Sequence, residues 1–166
     1  MSRTLPPLPG DPLSALLGGP GGPSMPGSGG PGAVSDSCLF CRPGAPDNEL
    51  VRTAPEIGAG CYVRRDNFPA FVGHVEIVPY RHVERLSDLT AQEWAGMGEL
   101  LKFIADECFP EHCDTNAYNV GGNVGVPAGQ SQPHAHLHVI PRRAGDVADP
   151  LGGIRAAFPN FAPHTW

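Results

Sequence analysis

Thirteen residues near the C-terminal end, Gln130-Ser131-Gln132-Pro133-His134-Ala135-His136-Leu137-His138-Val139-Ile140-Pro141-Arg142, constrain this chain more than any other stretch. Three histidines alternate with Ala135, Leu137 and Val139. In an extended strand, successive side chains point to opposite faces. The aliphatic face then buries against a helix while the other presents three imidazoles. Pro141, which has no N–H for a ladder, ends the run. The preceding loop, Asn123 to Ser131, contains glycine and can turn backbone N–H groups towards an anion. A histidine strand after such a loop points to phosphoryl chemistry. Taken alone, the His-x-His-x-His run also suits a metal chelate or an ordinary strand, and the loop a simple turn.

The chain of 166 residues has room for one domain and a tail. Residues 1–36 hold 9 of the 22 glycines and 8 of the 20 prolines but only three charged side chains, Arg3, Asp11 and Asp36. Too little apolar surface is available there to offset ordering entropy, so this tail is predicted to be disordered. Its one apolar patch, Leu13 to Leu17, is too short for a signal peptide, and no later run spans a bilayer. A cytoplasmic protein without membrane attachment is expected. A net charge of −6 gives no footprint for a nucleic-acid polymer. Cys38-Leu39-Phe40-Cys41 has the spacing of metal or redox chemistry in an intracellular chain.

Strands are expected over 49–54, 60–65, 74–79 and 116–121, with the histidine run as a fifth, and a short helical turn over Arg81 to Leu86. A helix is expected from Ala91 to Cys108. Thr90 and Glu93 fit a capping box, and Trp94, Met97, Leu101, Ile104 and Cys108 recur at helical steps as its apolar face. Pro110 closes it. Cys61, Cys108 and Cys113 read as small semi-buried thiols, and Arg64, Arg65, Arg142 and Arg143 as solvated. Residues from Ala144 onward read as an irregular wrap. Trp166 suits either an approach to a site or a loose terminus.

From His134 to Ile140 the chain resembles the histidine triad family, whose signature is His-x-His-x-His followed by apolar residues. The likeness extends to Asp66–His74, to Val75–Pro79 with Arg81-His82-Val83, and to Asn123–Gln130 as a phosphate loop. It covers residues 36 to 158, and its softer part, Arg142 to Arg155, is similar to a bacterial branch of dinucleoside polyphosphate hydrolases. The resemblance implies an α+β domain over 37–158, followed by a tail at 159–166. An antiparallel sheet of about five strands would carry one long helix, and the domain would pair into a homodimer. It implies a nucleotide hydrolase or transferase acting on dinucleoside polyphosphates or adenosine phosphoramidates. His136 would attack the α-phosphorus to form a nucleotidyl-histidine. That role requires a bare imidazole within bonding reach of phosphorus.

By the same resemblance, His138 contacts the phosphate and His74 buttresses the triad. Gly129, Gln130 and Ser131 belong to the phosphate loop, with Gly129 and Ser131 donating and Ser131 assisting the leaving group. Asn123 bonds near the phosphate, and Asp66 holds the ribose. His74 reads equally as a structural histidine, and Asp66 as a turn residue. Gln132 and Pro133 depart from the family's usual pair, and Pro133 can bend the start of the strand. The family's zinc ligands are matched by Cys38, Cys41, His82 and His134, a closed and therefore structural set. Two other functions fit the same residues: a hydrolase with an open metal on His134 and His136, or a nucleotide-binding module without turnover.

Overall fold

The computed structural model describes residues 37–52, 58–108 and 117–157. The expected N-terminal tail, Cys113, Pro110 and the tail at 159–166 lie outside these residues. Five strands form one antiparallel sheet in the order β1-β2-β3-β5-β4. They are β1 (Leu50–Arg52), β2 (Cys61–Arg65), β3 (Val75–Pro79), β4 (Tyr118–Gly121) and β5 (Leu137–Pro141). Among the described residues a single α-helix, α1 (Ala91–Phe103), packs on one face and runs on as a π-helical turn, Ile104–Cys108. This is the α+β architecture the sequence implies.

Period-two patterning divides the sheet into two faces. Val51, Cys61, Val63, Val75, Ile77 and Val139 turn towards α1 and meet Met97, Leu100 and Ile104. Tyr62 and Val78 turn the other way and pack with Cys38 and Phe40. The segment before β1 therefore roofs part of the second face, and Arg64, Glu76 and His138 lie beneath or beside it. Arg64 is 2 % exposed. This overturns its expected solvation: alternation turns it inward and the roof excludes water.

At the start of α1 the capping box forms as read. The Thr90 hydroxyl accepts the Glu93 N–H, and the Glu93 carboxylate accepts the Thr90 N–H. Trp94, expected in the core, is 44 % exposed. The buried positions are Glu93, Gly96, Met97 and Leu100, continued by Ile104. Trp94 lies about 100° of helical rotation from the centre of that stripe. Gly96 lets the helix approach the turn before β2: a Cβ there would come within 2.3 Å of the Gly58 carbonyl oxygen.

Other boundaries shift. The turn expected at Arg81–Leu86 is a 3-10 turn at Leu86–Asp88, and regular pairing in the histidine run begins only at Leu137. His134 and His136 precede the strand, where the His134 N–H bonds back to Gln132 and the Ala135 N–H reaches the Val83 carbonyl.

Candidate active site

Cys38 and Cys41 are brought together by the 3-10 turn Leu39–Cys41. His82 follows β3, and His134 lies just before β5. Their ligand atoms lie within 4.8 Å of one another. Nδ1 of His134 is 3.4 Å from Sγ of Cys38 and 3.7 Å from Sγ of Cys41, while Nδ1 of His82 is 3.2 Å from Sγ of Cys41. A zinc tetrahedron with ordinary metal–sulfur and metal–nitrogen bonds has sulfur–nitrogen edges of about 3.5 Å. Nε2–H of His134 donates to the Pro79 carbonyl at 2.9 Å, leaving Nδ1 with the lone pair a metal needs. The four residues fit a closed tetrahedral ion. Burial pushes the His134 imidazole down to about 4, so the ring is held neutral.

Because both nitrogens of His134 are committed, that ring shares no metal with His136. The open-metal arrangement on those two residues is not what the fold builds. His136 donates from Nδ1 to the His134 carbonyl at 2.8 Å. A carbonyl only accepts, so Nε2 carries the lone pair. Nε2 has no hydrogen-bond partner among the described residues. Burial lowers the pKa of the ring and keeps it neutral. Its exposure corrects the sequence reading, which required a bare ring: His136 is only 3 % exposed, edge-on to Phe40 and His138.

His74, just before β3, completes a relay. The Ala70 N–H donates to its Nδ1 at 3.1 Å, which places the ring proton on Nε2, 3.1 Å from Nδ1 of His138. His138 then carries its own proton on Nε2. Burial pushes His74 down to about 4. Asp66 Oδ2 lies 3.5 Å from both rings, and Oδ1 accepts the Phe68 N–H at 2.6 Å. Burial opposes its charge, but the neighbouring imidazoles and the Phe68 N–H together hold the carboxyl well below the usual range. Asp66 thus faces the imidazoles, whereas the resemblance placed it at a ribose.

The loop between β4 and β5 also differs from expectation. The Gly129 N–H, expected to meet phosphate, bonds to Val126 inside a 3-10 turn. Gln130 braces the loop, accepting the Gly125 N–H and donating to the Glu84 carbonyl. Ser131 and Asn123 are exposed. A cleft of about 480 Å³ is lined by Asn119, Gly121, Asn123, His138, Ile140 and Ile154.

Sequence reasoning missed two residues. Strand register sets Arg64 opposite Glu76 and Glu76 opposite His138, a row across three strands on the imidazole face. Arg64 pairs with Glu76 and also donates to Asn48 and Asn67. A charge at an inward position of β3 was the available signal.

An α+β domain whose imidazole-rich sheet face meets a cleft is the class these observations define. Residues 58–145, just over half the chain, match the HIT domain family, and the chain belongs to it. Over 81 residues it is 36 % identical to a bis(5'-nucleosyl)-tetraphosphatase (asymmetrical) of Schizosaccharomyces pombe, covering 49 % of this chain and 44 % of that protein. It is 29 % identical over 106 residues to an adenosine 5'-monophosphoramidase of the same organism, covering 64 % and 74 %. A zinc-bound histidine triad family protein of Mycobacterium smegmatis superimposes with a TM-score of 0.56 at 32 % identity, covering 68 % of this chain and 80 % of that one. The chain spans less than half the length of the tetraphosphatase it matches.

Proposed function

We propose that this domain is a nucleotidyl hydrolase that cleaves at the α-phosphate of dinucleoside polyphosphates or nucleoside phosphoramidates through His136. The observation that carries the reading is the buried, neutral His136 ring, with Nδ1 tied to the His134 carbonyl and Nε2 unpartnered. The Nε2 lone pair forms a bond to phosphorus as the bond to the leaving group breaks. The leaving group departs with that electron pair and takes up a proton. The His134 carbonyl supports the positive charge that develops on the ring. Water then attacks phosphorus, the nitrogen–phosphorus bond breaks, and a nucleoside monophosphate is released.

His138, oriented by His74, offers Nε2–H to the same phosphoryl group. The ligand enters from the cleft at His138 and must displace side chains to reach the enclosed ring. Asn123 in the cleft wall and the exposed Ser131 of the loop are the polar groups proposed for the rest of the phosphate chain, with Asp66 held for a ribose if its present contacts open. Cys38, Cys41, His82 and His134 would hold a zinc ion, which when bound supplies a structural cross-link. The open edge of β4 is the proposed place of pairing in a homodimer.

The test is incubation of the purified protein with adenosine polyphosphates and adenosine phosphoramidates, following AMP release and the mass of a trapped nucleotidyl-enzyme. Turnover by the wild type and none by His136→Ala is expected. Binding without turnover of every nucleotide would leave only a binding module. Activity abolished by a chelator and restored by metal, with no covalent adduct, would favour a metallohydrolase.

A further inference from the structure

Glu76 takes no part in the steps above, yet it is buried beside the atom that performs them. Its exposure is 4 %. One oxygen, Oε2, accepts from Arg64, which Asn48 and Asn67 hold in turn. The other, Oε1, lies 3.8 Å from Nε2 of His136 and 3.6 Å from Nδ1 of His138. Neither distance is a hydrogen bond. Among the described residues Oε1 makes no hydrogen bond. A buried carboxylate oxygen left without one is costly, whereas the apolar side chains at Val75, Ile77 and Val78 fill the same strand without penalty. The gap also has a useful size. A phosphoryl oxygen about 2.7 Å from each of Nε2 and Oε1 spans it, as an equatorial oxygen does when phosphorus is bonded to Nε2.

We propose that Glu76 is a further catalytic residue: as the neutral acid, it donates a hydrogen bond from Oε1 to a non-bridging oxygen of the phosphoryl group on His136. This deepens the nucleotidyl-transfer reading and rests on it. Glu76 keeps its proton throughout. The bond from Nε2 to phosphorus forms, the bond to the leaving group breaks, and the Glu76 hydrogen bond strengthens as charge gathers on the equatorial oxygens.

An ionised carboxylate in this position would repel the phosphoryl anion at close range in a dry site. The groups around Glu76 are Arg64 on β2, Asp66 after β2, His74 before β3, and His136 and His138 from the β5 side. Burial raises its pKa, Arg64 lowers it, Asp66 raises it and His138 lowers it, with a net rise to about 7. A bound phosphoryl anion pushes in the same direction as Asp66. The acid is therefore protonated below about pH 7 and loses its proton above it. Donation, and with it turnover, declines on the alkaline side.

The test is kcat against pH for the wild type, Glu76→Gln, Glu76→Ala and the double variant Arg64→Leu/Glu76→Leu, on whichever polyphosphate or phosphoramidate the wild type cleaves. The glutamine amide donates at every pH, so Glu76→Gln is expected near the wild-type rate at neutral pH with no alkaline decline. Glu76→Ala is expected to lose roughly 100-fold in kcat, the usual cost of one such donor. The double variant removes the buried guanidinium together with its partner, so it leaves no unpaired guanidinium to unfold the domain. It is expected to match Glu76→Ala, with folding checked by circular dichroism. An alanine or double variant at the wild-type rate overturns the proposal. So does an alkaline decline that persists in Glu76→Gln, or Glu76→Gln as slow as Glu76→Ala. A wild type that cleaves no nucleotide and forms no nucleotidyl-enzyme overturns the underlying reading, and this assignment with it.

Discussion

The carbonyl oxygen of His134 accepts a hydrogen bond from Nδ1 of His136 at 2.8 Å, while the His134 ring points away, to Cys38 and Cys41. One residue thus joins two sites. Its side chain belongs to the thiol–imidazole cluster, and its backbone sets the tautomer of the ring proposed to attack phosphorus. Whatever holds the cluster in place also aims His136.

Replacing His136 by alanine is expected to reduce AMP release by at least about 10⁴-fold, as removal of a nucleophile does elsewhere. Metal content should not change, since Nε2 of His136 points away from the Cys38–His134 cluster. Elemental analysis alongside the activity assay checks both halves.

Stripping zinc with a strong chelator, or substituting Cys38→Ser, is expected to lower the melting temperature and kcat together. The coupling follows from the His134 carbonyl, because a cluster that loosens also loosens the hydrogen bond that aims His136. Protein purified without a histidine tag is expected to contain about one zinc per chain. Differential scanning calorimetry with and without chelator measures the thermal part.

His74→Ala removes the donor that sets the His138 tautomer and is expected to lower kcat by roughly 100-fold with little change in KM. The same variant probes acid stability. Burial lowers the folded-state pKa of His74 from 6.5 to about 4, so the unfolded chain takes up the proton more readily. Stability from this group is complete above about pH 6.5 and is lost as pH falls towards 4. Urea titrations across that window should show a shallower acid decline in His74→Ala than in the wild type.

Gly96→Ala is expected to destabilise the fold by about 1–3 kcal/mol, even though alanine favours a helix. The added Cβ would meet the Gly58 carbonyl at 2.3 Å and the Ala59 nitrogen at 3.0 Å, both backbone atoms that cannot swing aside. Equilibrium unfolding in denaturant measures the difference.

Local patterns carried much of this reading. Alternation in the histidine run, the Thr90–Glu93 cap and the sheet-and-helix content were legible because they depend on residues within one or two turns of chain. The same local logic misplaced Trp94. Its spacing from Met97 fits a helical stripe, but the helix is rotated by the close contact of Gly96 with Gly58, which no spacing rule contains. Gly129 suits an N–H offered to an anion, yet the turn that closes on Val126 uses that donor.

By itself, the sequence determined which chemical groups the domain possesses: three imidazoles alternating along an extended run, two thiols three residues apart, and a sheet with one apolar face for a helix. Tertiary structure alone decided where they point. The register of β2, β3 and β5 lines up Arg64, Glu76 and His138, and the roof formed by Cys38 and Phe40 shuts water out above Arg64 and Glu76. Strand pairing and roofing join residues far apart in the chain, and only they bury the Glu76 carboxyl between Arg64 and His136.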